Sequence, residues 1–304
     1  MIGKRISIAL GGLRFELASD AVPILHEITE PYRGFVSDPS DPGEGEAVRV
    51  SVTLGAIEPR GGRVLFDGGS WRLLARGAER SLVFQTRFMT EPLYEARFRP
   101  GAREVEMTCS PSLLETTDGV TCIHSHFRYP LDQLLAMYLL ADRGVILHAA
   151  GVVRDGRALA FAGVSGAGKS TVIGLAAGWS GAVALNDDRI ILRLQDDRVT
   201  AHGTPWPGEA AVAENRSAEA GALLFLDKGP ENRVRAISPR ETLARLLPTV
   251  SLPWFDPERL DPGLRACDAI IRHVPAAVFT FRPERAALDT LDAFLAQPWS
   301  RPSA

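Results

Sequence analysis

Residues 157–171 read RALAFAGVSGAGKST, and the organisation of the chain follows from them. RALAFA has strand character, runs without a break into a glycine-rich segment, and is followed by TVIGLAAGW, whose composition suits a helix. Between strand and helix, Gly163 to Ser170 fits the spacing GxxxxGK[ST]. The glycines Gly163, Gly166 and Gly168, with Ser165 and Ala167 between them, let consecutive backbone N–H groups curl around phosphate oxygens while the helix points its positive end at the same place. Lys169 is expected to reach the β- and γ-phosphates, Ser170 to place its hydroxyl on Mg2+, and Thr171 to follow it into the helix. A chance match in about 300 residues has a probability of roughly one or two per cent. The chain also has three lysines, Lys4, Lys169 and Lys228, against thirty-one arginines, so a lysine here runs against a strong arginine bias. A compact ammonium, not a planar guanidinium, suits a phosphate loop. The implied ligand is ATP or a similar nucleotide.

Upstream, VILHAAGVV and RALAFA bracket Asp155 and Gly156, a strong short hairpin signal. His148 lies on the first of these runs. A histidine among apolar neighbours is more often a satisfied core residue than a catalyst. Downstream, ALNDDRI places Asp187 and Asp188 some 18 residues beyond Lys169 at the end of a short strand. One carboxylate of such a pair can hold a metal while its neighbour accepts a proton, although adjacent acids also occur in plain turns, as Asp196 and Asp197 do. In HGTPWPGEAAVAEN, the Gly and Pro residues force a shaped loop carrying Trp206 and Glu209. Glu209 can complete a Mg2+ shell or be a solvated loop acid, and Trp206 can be a packing anchor. Arg233, Arg235 and Arg240 are candidates for an arginine that offsets charge on a transferred group. His124 and His126 alternate in IHSH with no third ligand in view, which favours a structural strand over a metal site.

The order LHAAGVV, hairpin, FAGVSGAGKST, LNDDRI resembles the catalytic domain of the HPr kinase/phosphorylase family over about residues 144–195, a domain whose nucleotide fold is similar to that of PEP carboxykinase. The resemblance implies that His148 assists catalysis, Lys169 and Ser170 bind phosphate and Mg2+, Asp187 is the base and Asp188 the metal partner. No counterpart of the bifunctional enzyme's glycine-rich signature follows the acidic pair, and the N-terminal half does not look like its sensor domain. The chain is more similar to HPr-kinase-like proteins with a β-rich N-terminal part, some of which phosphorylate serine in a precursor peptide. The implied activity is ATP-dependent transfer to a hydroxyl, with serine of a protein or peptide as acceptor. A small-molecule kinase or NTPase on the same fold stays open, as does a non-catalytic nucleotide-dependent sensor. No guanine-reading NKxD motif is present.

The rest of the chain divides in character near residue 128. Residues 1–128 offer short alternating runs (RISIAL, LRFELA, VRVSVTL, RVLFDG, LVFQTRF, LYEARFR, EVEMTCS, VTCIHSHF), a mostly antiparallel β-rich domain of unknown role. FVSDPSDPGEGEA, 35–47, reads as an exposed loop. Residues 129–304 form the α/β P-loop domain, entered by a helix in LDQLLAMYLLADRG that stops at Gly144, with further helices over 240–247, near 264–272 and over 285–295. A net charge of −3 and the lack of a Lys/Arg run argue against nucleic acid and anionic membrane as partners. No uncharged 18-residue span exists for a membrane helix, and the start of the chain reads as a strand, so the expected location is the cytoplasm. Cys109, Cys122 and Cys267 match no disulfide or zinc pattern and read as buried free thiols. A homo-oligomer is compatible with all of this.

Overall fold

A computed structural model describes residues 1–37, 45–58 and 61–296, a mixed α/β chain with large sheets. Residues 38–44 of the expected loop lie outside the described residues. The chain divides into two compact units, one comprising Met1–Leu139 with Pro253–Glu258, the other Leu140–Leu252 with Arg259–Ala304.

In the first unit a nine-stranded sheet runs Val36–Ser37, Arg5–Leu10, Leu13–Ala18, Glu46–Leu54, Glu104–Cys109, Tyr94–Phe98, Glu79–Phe84, Trp71–Arg76, Arg63–Asp67. Two of its pairings are parallel, Leu13–Ala18 with Glu46–Leu54 and Glu46–Leu54 with Glu104–Cys109. Alternation in Leu13–Ala18 and Glu46–Leu54 makes this part of the sheet two-faced: Phe15, Leu17, Val48 and Val50 are buried, while Arg49 and Ser51 are exposed. Trp71–Arg76 has no counterpart among the expected runs, because Leu73 and Leu74 together break the alternation in WRLLAR. Arg80, 1% exposed, is held on the inner side by both oxygens of Asp256 (2.6 and 3.1 Å) and by Glu258, and Tyr138 donates to Asp256 at 2.8 Å.

In the second unit Gly144–Arg154 pairs with Arg157–Ala162, which is parallel to Ser217–Lys228 and so on to Arg198–His202 and Arg189–Gln195, which returns to Gly144–Arg154. The circuit is closed, so none of these five strands leaves both edges bare. Ala276–Phe281 extends it in parallel beside Ser217–Lys228. The run ALLFL is apolar without alternation because both faces are covered. Leu223 and Phe225 pack with Leu246, Ala266 and Ile270, and Leu224 and Leu226 pack with Val172, Ile173, Leu288 and Leu291. Each such fully buried side chain contributes about 1.5–3 kcal/mol. The entering helix is Leu131–Leu140 and ends short of Gly144, which instead begins a strand. A Cβ at Gly144 would lie 2.8 Å from the Leu192 carbonyl oxygen, so this glycine serves close strand approach rather than a helix cap. The helix expected near 264–272 spans Pro257–His273, with Pro262 inside it. The other two are Pro239–Leu246 and Ala286–Leu295.

The three cysteines are buried and free. Among the described residues, no helix is long and apolar enough to cross a membrane.

Candidate active site

The hairpin before the phosphate loop turns at Asp155 (φ 49°) and Gly156 (φ 76°), two positive-φ residues whose twist matches the paired strands. Beyond Ala162 the glycines have separate tasks. Gly166 (φ 78°) and Gly168 (φ 112°) take up backbone angles that L side chains rarely adopt, and a Cβ at Gly163 would sit 2.5 Å from that of Ala167. The helix Lys169–Ala176 follows directly, with no acidic residue in its first turn to occupy its positive end. Ser165, Gly166, Ser170 and Thr171 are exposed there, Ala167 is half-buried, and Lys169 is buried. The Lys169 Nζ donates to the carbonyl oxygens of Gly163 (3.0 Å) and Val164 (3.4 Å), which leaves one of its three N–H bonds to offer elsewhere. Burial lowers its pKa, and Arg189 adds to this, while Asp188 and Asp187 oppose it.

The acidic pair is placed by strand register. Ala182–Asn186 and Arg189–Gln195 pair with the same edge of Gly144–Arg154, Asn186 opposite Gly151 and Arg189 opposite His148. Asp187 and Asp188 occupy the bend between those two pairings. Asp188 therefore comes level with His148, and His148 Nε2 lies 2.7 Å from Asp188 Oδ1 across 40 residues of chain. Arg189 meets the other oxygen at 2.7 Å. The hydrogen bond from His148 leads in holding the Asp188 carboxyl below its ordinary range, with Arg189 and Lys169 adding to it. An ionised carboxylate only accepts hydrogen bonds, so the proton in this contact belongs to His148 Nε2.

Asp187 is held by different partners. It is 2% exposed, and its oxygens accept from the backbone N–H groups of Gly208 (2.9 Å), Ala210 (2.8 Å) and Val212 (3.3 Å). These bonds fold the 202–215 loop onto the bend and hold Ala211 at φ 55°, a left-handed conformation that costs a non-glycine residue of the order of 1 kcal/mol. Gly208 is obligatory there, since a Cβ would lie 2.8 Å from Asp187 Oδ2. Asn186 and Thr204, to which the sequence reading gave no role, and the loop's Gly203 complete the support. Asn186 Oδ1 accepts from the N–H groups of Asp188 and Arg189, both at 2.7 Å, and Asn186 Nδ2 donates to the Thr204 carbonyl at 2.8 Å. Thr204 Oγ1 donates to the Arg189 carbonyl at 2.7 Å. Gly203 admits the backbone of Glu214, whose carbonyl oxygen would be 2.0 Å from a Cβ. The signal for this was available: an Asn immediately before the acids caps such a turn through its own side chain.

The structure thus brings His148, Asp188, Lys169 and Arg189 into one electrostatic group; Asp187 also acts on Lys169 through its charge while its oxygens anchor the loop. Trp206 is buried beside Thr204, as a packing anchor would be. Glu209 is exposed at the corner between two of the N–H groups that bind Asp187. Among the described residues, no three His, Cys, Asp or Glu side chains cluster closely enough to hold a metal. Mg2+ takes one or two protein oxygens and completes its shell with phosphate and water, so Ser170 with Asp188 is a fitting donor set and the positive-φ glycines are a fitting phosphate cradle. Arg235 is paired with Glu241 at 2.8 Å. His124 and His126 lie side by side in the first unit, ring centroids 4.4 Å apart and planes tilted by 48°.

Comparison with protein-family models and with curated proteins finds no match. Among solved structures, the chain is similar to the HPr(Ser) kinase/phosphatase from Coxiella burnetii at 15% identity, over 49% of this chain and 94% of that one, with a TM-score of 0.29.

Proposed function

We propose that the second unit is a P-loop phosphotransferase domain of the PEP carboxykinase type that uses ATP and Mg2+ to phosphorylate a hydroxyl, with serine of a protein or precursor peptide as the acceptor. The carrying observation is the His148–Asp188 contact at 2.7 Å, in one electrostatic group with the phosphate-loop lysine. A phosphate-binding loop alone serves many functions, whereas a histidine oriented by a carboxylate next to it is the constellation that removes a proton from an attacking hydroxyl.

The loop residues Gly163, Ser165, Gly166, Ala167, Gly168 and Thr171 cradle the phosphates. The Lys169 ammonium offsets charge on the transferred group. Ser170 and Asp188 would hold Mg2+, which when bound neutralises the phosphate oxygens. Asp188 fixes the His148 tautomer with the proton on Nε2, so the lone pair on Nδ1 is free to accept the acceptor hydroxyl's proton. Arg189, held by Asp188, places a further positive charge beside the site. We assign Asp187, the base implied by the family resemblance, a positioning role, because it is buried and three backbone N–H groups bind it, two on Oδ1 and one on Oδ2. Glu209 stays a peripheral metal candidate that needs the loop to hold it near Asp188.

The test incubates the protein with labelled ATP, Mg2+ and serine-containing peptides encoded by neighbouring genes, with Lys169→Ala as the blank. A phosphoserine product lost in the blank supports the reading. ATP binding with no product on any peptide, metabolite or water sinks it in favour of a nucleotide sensor.

A further inference from the structure

We propose that the outer face of the first unit's sheet, over Arg5–Leu10, Leu13–Ala18 and Glu46–Leu54, is a binding site for a small organic anion. Register puts the lining residues on one face in adjoining rows. Ser7 opposes Glu16, and Glu16 opposes Arg49; one row on, Arg5 opposes Ala18 and Ala18 opposes Ser51; on the other side Arg14 opposes Ala9. These side chains surround a cleft of about 340 Å3, at the lower end of the roughly 300–1,000 Å3 typical of small-ligand sites.

Two independent features give it a ligand chemistry. The first is charge. Among the described residues lining the cleft, three guanidinium groups, Arg5, Arg14 and Arg49, stand against one carboxylate, Glu16, which Arg14 already binds at 2.7 Å. Arg49 makes a 4.0 Å contact with Glu104, both side chains 78% exposed, and exposed Arg5 has no side-chain partner among the described residues. The second is Ser7, which is 2% exposed, lines the cleft, and has no hydrogen-bond partner for its hydroxyl. A buried hydroxyl without a partner is unfavourable, and an oxygen of a ligand in the cleft would satisfy it. Planar guanidinium forks around a hydroxyl donor suit phosphate or carboxylate oxygens. The site is separate from the nucleotide loop and does not depend on the phosphotransferase reading.

Calorimetry with inorganic pyrophosphate and with citrate, on the 304-residue chain carrying Lys169→Ala, tests it without interference from the phosphate loop. At least one probe should bind, more weakly as salt rises. Arg5→Gln and Arg49→Gln should each weaken binding about tenfold, and Ser7→Ala should weaken it too, with unchanged circular dichroism. Pyrophosphate preference identifies a phosphorylated ligand and citrate preference a polycarboxylate. Absence of binding by both probes, or binding indifferent to Arg5→Gln and Arg49→Gln, overturns the proposal. Binding only by a polyglutamate peptide would also overturn it, in favour of a protein-docking face.

Discussion

The two adjacent acids should fail differently when each is replaced by asparagine. In Asp187→Asn the amide oxygen can still accept from Gly208 and Val212, but the NH2 group then faces the Ala210 N–H that Asp187 Oδ2 now accepts at 2.8 Å. A hydrogen bond to a charged group contributes about 1.5–3 kcal/mol, and a buried N–H without an acceptor costs about 1–3 kcal/mol. At 2% exposure water offers little relief, so the local loss is on the order of 3–5 kcal/mol. In a unit of this size that lowers the melting midpoint by roughly 10 °C. Asp188→Asn keeps an acceptor for His148 Nε2 at a partly exposed site and should cost under about 1 kcal/mol. It loses the charge that orients the imidazole, and transfer should fall about 10²–10⁴-fold. Amide hydrogen exchange resolves the pair, because protection at Gly208, Ala210 and Val212 should collapse in Asp187→Asn and persist in Asp188→Asn. An Asp187→Asn protein with protection intact and transfer abolished, beside an active Asp188→Asn, would falsify the assignment and return the base to Asp187.

Removing His148 takes away the leading cause of the low Asp188 pKa, so in His148→Leu the Asp188 carboxyl should titrate at higher pH, read from its carbon resonance; an unmoved titration refutes the contact. A depressed carboxylate pKa stabilises the fold above the ordinary value near 3.8 and loses that contribution as pH falls, so acid unfolding of His148→Leu should show less of this loss. His26, buried in the first unit with its Nε2 unpartnered, has its pKa lowered by burial to about 4. The unfolded chain therefore binds this proton first, and stability should drop between pH 6.5 and about 4 with a slope that His26→Phe reduces; an unchanged slope argues against a neutral buried imidazole. Arg80→Met strands the buried Asp256 carboxylate and should cost about 3–5 kcal/mol in urea unfolding, while Arg80→Met with Asp256→Leu should recover much of it. A double variant no more stable than the single one contradicts the pairing.

Local pattern carried the parts of this structure that neighbours in sequence decide. The Asp155–Gly156 turn, the phosphate loop and the strand ahead of it are each set within a few residues, by positive φ, by the missing Cβ of glycine or by apolar runs. The division of labour between Asp187 and Asp188 is not local. Identical in type and adjacent, they part only because one opposes a histidine on the paired strand and the other meets backbone N–H groups more than twenty residues on. Asp256 belongs with the first unit for the same kind of reason, through Arg80 far upstream.

That dependence on register bears on how the candidate site stays aligned. The bend holding both acids is clamped from two sides, by Asn186 and Thr204 at its base and by the 208–212 amides at Asp187. Asp188, at the free side of the bend, inherits a fixed position without using its own lone pairs to secure it. Its two oxygens are left for His148 and Arg189, with capacity on each for a metal. A buried acid that anchors and a partly exposed acid that contacts His148 are therefore two parts of one device, and losing the anchor should displace Asp188 before it touches the proposed chemistry itself.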